Sequence, residues 1–191
     1  MVKNSLESLI TFHCAPTLAG IKAANLFTWH HTNGQSTDGS MGVTRAKLAP
    51  YGISMDVLCR CDSHALIFVY RADMLRRLFT AEAERFLEGC GYAAGSDVAE
   101  KIAALKSRLV ERGEFPHEIG VFLGYPLEDV RGFIEKRGEG CKACGAWKVY
   151  GDRESALALF ERYKRCTEYF YNKFEAGCEM AQLLNAVPTF G

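Results

Sequence analysis

The sequence predicts an α+β fold: a small, mostly antiparallel sheet of about three strands packed by six to eight helices. Three observations lead there. Residues 52–71 alternate and then run apolar, as the two strands of a hairpin do. Most of the remaining chain repeats its apolar residues at three- and four-residue spacing. No linker, internal repeat or low-complexity tail interrupts it, so residues 1–191 are expected to form a single α+β domain that buries a core without staples.

Asn4 and Glu7 have capping-box spacing, and Leu6, Leu9 and Ile10 supply the apolar stripe of a first short helix. Pro16 stops that helix and opens a second, PTLAGIKAANLF, on which Ala15, Ala19 and Ala23 recur every four residues with Gly20 and Ala24 beside them. Small residues on one face admit a close neighbour, either another element or a flat cofactor. HHTNGQSTDGSMG is a loop by composition and has neither of the usual phosphate-cradling glycine patterns. The side chains of the adjacent His30 and His31 diverge on any regular element.

In the hairpin, ISMDVLC alternates, and ALIFVYR is the continuous apolar run of a strand covered on both faces. Asp62 and Ser63 suit the turn between them. Helical spacing returns with MLRRLF and AEAERFLEGCGY, closing at Gly89 or Gly91. Ser96 or Asp97 then caps a helix carrying Val98, Ile102, Leu105 and Leu109. Glu118–Leu123 is a short helix ended by Gly124. Pro126 opens the next, with Leu127, Val130 and Ile134 inward and Gly138 as its stop. Residues 146–150 are expected to be the third strand. After Asp152 comes the longest helix, with Ala156, Leu159, Phe160, Tyr163, Phe170 and Phe174 along one stripe.

Lys plus Arg equals Asp plus Glu, so the formal net charge is zero, which argues against a nucleic acid or an anionic membrane as partner. No apolar run approaches the length of a membrane span, and the first residues do not read as a signal peptide. A cytoplasmic location is therefore expected, and the eight Cys are read as thiols or metal ligands rather than disulfides.

Three constellations can carry chemistry. Cys141-x-x-Cys144 has the spacing for two thiolates on one metal, or for a disulfide. It precedes a predicted strand rather than opening a helix, which favours a zinc knuckle over a thioredoxin-like site. Cys59-x-Cys61 would complete four sulfurs if the hairpin lay alongside. His13-Cys14 stands just ahead of a predicted helix, whose dipole favours a thiolate, either as nucleophile or as haem ligand. His117, beside Glu118, is a candidate base or ligand, a helix cap, or a bridge to Asp152. Glu118–Phe133 also has the apolar spacing of a helix-turn-helix, but the would-be recognition helix begins Pro-Leu-Glu-Asp and would set an acidic pair against phosphates. The turn is therefore read as a packing device.

CAPTLAGIKAANLF, ALIFVYR, FPHEIGVFLGYPLEDVRGFI and WKVYGD together resemble the bacterial family catalogued as domain of unknown function 3793, over nearly the full chain. The resemblance implies a cytosolic protein, typically of anaerobes, and supplies no reaction. It also places a Cys ahead of the Trp, matching Cys144 more closely than Cys141.

The expected function is binding of a metal or a redox cofactor (haem, flavin, iron or zinc) as the small-molecule ligand. His13, Cys14, His117 and the Cys141/Cys144 pair would lie near one pocket, walled by Ala19, Gly20, Ala23, Trp147 and Tyr150, with Trp147 stacking on the ligand. A redox protein partner follows if the Cys pair switches. The alternatives are a thiol-dependent enzyme, with Cys14 as nucleophile and His117 or His13 as base, and an adaptor without catalysis.

Overall fold

The computed structural model describes residues 5–30, 37–61, 63–111 and 115–190. Among them the fold is α+β, with ten α-helical segments, a three-stranded antiparallel sheet and a two-stranded ribbon. The chain groups into two compact units, one of residues 1–72 with 162–191 and one of residues 73–161. One boundary falls after residue 72 and the other inside the longest helix. No helix of the described residues is long and apolar enough to cross a membrane.

The first unit begins with α1 (Leu6–His13). Its N-cap is Ser5, whose hydroxyl accepts from the Ser8 amide at 3.2 Å; Asn4, the expected cap, lies outside the described residues. The second helix is far shorter than expected: α2 covers only Ala15–Leu18, with Pro16 in its first turn. Gly20 then takes a left-handed φ of 72°, and the chain enters β1 (Ala24–His30). The stretch read as one small-residue helix is thus a turn of helix, a bend and a strand. Phe27 and Trp29 point into the core while Thr28 and His30 are exposed, an alternation that decides for strand.

The supposed loop is also partly helical. Residues 31–36 of it lie outside the described residues, but α3 runs Thr37–Leu48 and seats Met41, Thr44 and Leu48 inward at helical spacing. A 3₁₀ turn (Ala49–Tyr51) leads into the hairpin of β2 (Ser54–Arg60) and β3 (His64–Tyr70). The strand order is β1-β3-β2, all antiparallel, so β3 is central, and Ile67, Phe68 and Val69 are fully buried. Asp62 of the expected turn lies outside the described residues.

One sheet face, carrying Phe27, Trp29, Met55, Val57, Ala65, Ile67 and Val69, forms the core with α1, α2 and α3. The same core takes Cys166 and Phe170 from α9 (Arg153–Glu175), Met180, Leu183 and Leu184 from α10 (Met180–Asn185), and Phe190. Arg71 closes the edge beside α2: its guanidinium donates to the carbonyls of Thr17, Leu18 and Tyr51, each at 2.8 Å.

The second unit contains α4 (Ala72–Leu78), α5 (Ala81–Gly89) and α6 (Val98–Glu111), placed as the periodicity predicts. Asp97 and Glu100 cap α6 reciprocally at 2.7 and 2.8 Å. Lys101 is buried, and its ammonium meets Glu84 at 3.1 Å and the Ser96 carbonyl. Next come α7 (Ile119–Phe122), ended by Gly124 at φ 76°, and α8 (Leu127–Glu135). A Cβ on Gly120 would stand 2.8 Å from a Val130 methyl, so this glycine lets α7 and α8 meet closely. Ile134, expected inward, is 38% exposed.

The residues expected to add a third strand to the sheet instead form a separate ribbon, β4 (Ala143–Cys144) with β5 (Lys148–Val149). Helix α8 packs against it through Gly132: a Cβ there would lie 2.6 Å from Cγ of Tyr150. In an exposed helix Gly→Ala stabilises by about 1 kcal/mol. Here overpacking outweighs that gain, and Gly132→Ala is expected to destabilise by about 1–2 kcal/mol in urea unfolding, whereas stabilisation would show that the ring has room to move.

Candidate functional site

The sequence-predicted site residues divide between the units. His13, Cys14, Ala19, Gly20, Ala23, Cys59 and Cys61 belong to the first; His117, Cys141, Cys144, Trp147 and Tyr150 belong to the second. Among the described residues, no three His, Cys, Asp or Glu side chains converge as a metal-holding group; the expected four-sulfur set draws Cys59 and Cys61 from the first unit and Cys141 and Cys144 from the second.

In the first unit His13 is exposed at the end of α1 and stacks on Phe27, with ring centroids 5.4 Å apart; partial burial lowers its pKa. Cys14 is 0% exposed. Burial pushes its thiol far up, and the nearby Lys22 ammonium offsets this only in part. The thiolate expected from a following helix dipole is overridden: α2 has a single turn, and desolvation dominates. Ala19 is half-buried, Gly20 exposed and Ala23 buried on the bend, so they share no helical face. Cys59 lies beside a bulge in β2, and Cys61 is exposed just past that strand.

Lys22 itself was not legible as special. It is 6% exposed, its ammonium sits 5.9 Å from the Tyr163 ring centroid, and burial brings its pKa down to about 8. A lysine in a run of small residues carries no signal of this in the sequence.

In the second unit His117 is exposed, with its ring edge against Phe133 at 4.9 Å. It does not bridge Asp152, which caps α9 by accepting from the amides of Glu154 and Ser155 and from the Ser155 hydroxyl. The neighbouring Glu118 is buried and takes the Arg108 guanidinium at 2.6 Å.

Trp147, expected to stack on a ligand, is a core residue. It stacks on Tyr125 at 4.9 Å, meets Phe160 edge-on at 4.5 Å, and its indole N–H donates to Asp129 Oδ2 at 2.6 Å. Asp129 Oδ1 accepts the amides of Tyr150 and Gly151 at 2.6 and 2.7 Å. One carboxylate, 2% exposed, therefore ties the ribbon to the first turn of α8. An acid at that position reads in a sequence as an ordinary dipole partner, so the role of Asp129 was missed.

The ribbon presents the Cys pair. Cys141 is half-buried and Cys144 exposed, and both thiols are free. Close by, Tyr150 is 8% exposed, and its hydroxyl is a buried polar atom without a hydrogen-bond partner. Burial raises its pKa, and Cys141, Asp129 and Cys144 raise it further, in that order. Lys142 donates to the Gly151 carbonyl at 2.8 Å, Lys148 to that of Gly138 at 2.7 Å, and the Lys136 ammonium lies over the Tyr150 ring. The site is thus two free thiols on a braced ribbon that also carries an orphan hydroxyl.

A family model described as a protein of unknown function, DUF3793, matches residues 10–184. The chain belongs to this family. The DUF3793 match runs through both units, and through the Cys pair, Trp147 and Tyr150, without assigning any of them a task. No curated protein matches the chain, and no solved structure matches it.

Accessibility orders the thiols of this DUF3793 protein. Under native conditions iodoacetamide is expected to modify Cys144 and Cys61 first, and Cys14 and Cys166 only as fast as the protein opens. Mass-resolved labelling against time checks this. Early modification of Cys14 would restore it as a nucleophile.

Proposed function

We propose that the protein binds a soft metal ion in the cytoplasm, with thiolates supplied by Cys141 and Cys144. The observation that supports this reading is the Tyr150 hydroxyl, a buried donor that lacks an acceptor and whose pKa both thiols help to raise. An unsatisfied buried donor is destabilising, and a metal-bound thiolate is an acceptor that would relieve it. Cys-x-x-Cys is a spacing on which two sulfurs reach one tetrahedral ion, and thiolates select zinc or monovalent copper. Two protein thiolates leave coordination positions for a small ligand or for a partner protein's side chains.

The test is elemental analysis and an absorption spectrum on protein purified without oxygen. About one equivalent of metal is expected, lost in Cys141→Ser/Cys144→Ser. It is expected to be retained in Tyr150→Phe, with affinity weakened about tenfold or more. Metal content unchanged in the double variant would sink the proposal. So would a metal-free, colourless protein whose pair oxidises to a disulfide. That second outcome would favour a dithiol redox protein, a reading supported by the unequal exposure of Cys144 and Cys141, which suits an attacking and a resolving thiol.

A further inference from the structure

A second constellation lies in the first unit, at the rim of the three-stranded sheet. His30, the last residue of β1, is paired in register with His64, the first of β3. Directly opposed residues on antiparallel strands project to the same face, with Cβ atoms about 5 Å apart. The two imidazole centroids are 5.9 Å apart, with the rings inclined at 47°.

Metal–nitrogen bonds of about 2.1 Å put the centroids of two imidazoles on one ion roughly 4.5–6.5 Å apart, depending on the angle at the metal. The observed separation falls inside that range. His64 Nδ1 lies 3.4 Å from the Ser63 hydroxyl. That contact engages Nδ1 and leaves Nε2 as the ligating nitrogen, the usual arrangement by which an outer hydrogen bond fixes a histidine tautomer. His30 is exposed and His64 half-buried, so the pair has access to solvent without a path through the core. The nearest cationic side chain along β2, Arg60, is directed toward the sulfur of Met41 at 3.9 Å.

We infer that His30 and His64 form a bidentate chelate for a borderline divalent transition-metal ion such as nickel, divalent copper or zinc. Among the described residues no third His, Cys, Asp or Glu completes the set. Positions that the two histidines do not fill are open to water or an exogenous ligand, and the exposure of His30 lets metal exchange with solvent. This inference does not depend on the Cys141/Cys144 site: the ligands are nitrogen instead of sulfur and lie in the other unit.

Nickel is the probe, because imidazole suits it while thiolates prefer softer ions. Titration calorimetry is run on Cys141→Ser/Cys144→Ser protein, kept reduced with a non-chelating phosphine. One equivalent is expected to bind, and His30→Ala and His64→Ala are each expected to weaken binding at least tenfold. The metal-free melting temperatures of both variants are expected to stay at the parent value, since both side chains stand at the sheet rim. A His30→Ala or His64→Ala variant that binds as tightly as the parent overturns the chelate. So does the absence of one-to-one binding in the parent. Loss of nickel binding on Cys141→Ser/Cys144→Ser, with both histidines present, would also overturn it while leaving the Cys-pair proposal standing.

Discussion

Asp129→Ala is expected to destabilise the protein by about 4 kcal/mol, among the largest effects open to a single substitution here. The carboxylate accepts three N–H groups, from the Trp147 indole and the Tyr150 and Gly151 amides, at 2.6 to 2.7 Å. A charge-assisted hydrogen bond contributes about 1.5–3 kcal/mol, and each donor left buried without a partner adds its own desolvation cost. The sum is discounted because water can enter the space that the side chain vacates. Asp129→Asn keeps the shape but turns one oxygen into an N–H₂ group facing donors, so most of the loss should remain. Urea unfolding of Asp129→Ala, Asp129→Asn and Trp147→Phe checks this. An Asp129→Ala protein within 1 kcal/mol of the parent would mean that the ribbon is held by packing alone.

The second large effect is a pH dependence at Lys22. Its folded pKa of about 8 lies below its ordinary 10.5 because burial disfavours the ammonium. Below about pH 8 both folded and unfolded chains hold this proton, and the folded state bears the full cost of the buried charge. Between about 8 and 10.5 the folded protein releases the proton first, and that cost fades as pH rises. Lys22→Met removes the cost at every pH, so the variant is expected to be the more stable at pH 7. Its advantage should then narrow by about 2–3 kcal/mol between pH 7 and pH 10.

Cys14 acts in the opposite direction. Its raised thiol pKa makes the unfolded chain lose that proton first above its ordinary 9.0, which lowers stability there. Comparing Lys22→Met with the parent at each pH cancels the part of this term that burial causes, leaving only the part that the Lys22 ammonium itself offsets. A stability difference that does not change with pH would show that the Lys22 amine is solvated in the folded protein.

Much of the architecture was legible in the residues. The hairpin was recognised from period-two alternation followed by an apolar run, and β3 has the two-sided burial that such a run implies. Helix α4 is marked by periodicity alone, whereas α5, α6, the α7-turn-α8 pair and the start of α9 are marked by caps or glycines that the structure uses.

Where structure and sequence expectation part, composition and periodicity point in different directions, and the structure follows periodicity. Alanine spacing suggested a helix through residues 16–27, although Phe27-Thr28-Trp29-His30 already alternated as a strand does. Gly, Ser and Thr suggested a loop across residues 37–42, although Met41, Thr44 and Leu48 kept a helical period.

The candidate site was legible only in part. Cys141 and Cys144 could be named, because cysteine spacing carries a local meaning. The orphan hydroxyl of Tyr150, the brace at Asp129 and the opposition of His30 to His64 depend on tertiary register, which a linear pattern does not encode.

The first unit is assembled from two distant pieces of chain, residues 1–72 and 162–191. That has a consequence for synthesis on the ribosome. When β3 has emerged, the core face of the sheet still lacks Cys166, Phe170, Met180, Leu183, Leu184 and Phe190, which emerge only about a hundred residues later. At elongation speeds of roughly 5–20 residues per second the wait is roughly ten seconds. Through that interval Phe27, Trp29 and Ile67 stand without their final cover, while the contiguous residues 73–161 emerge complete in the meantime. A nascent chain of this kind carries an unfinished apolar sheet face until residues 166–190 follow.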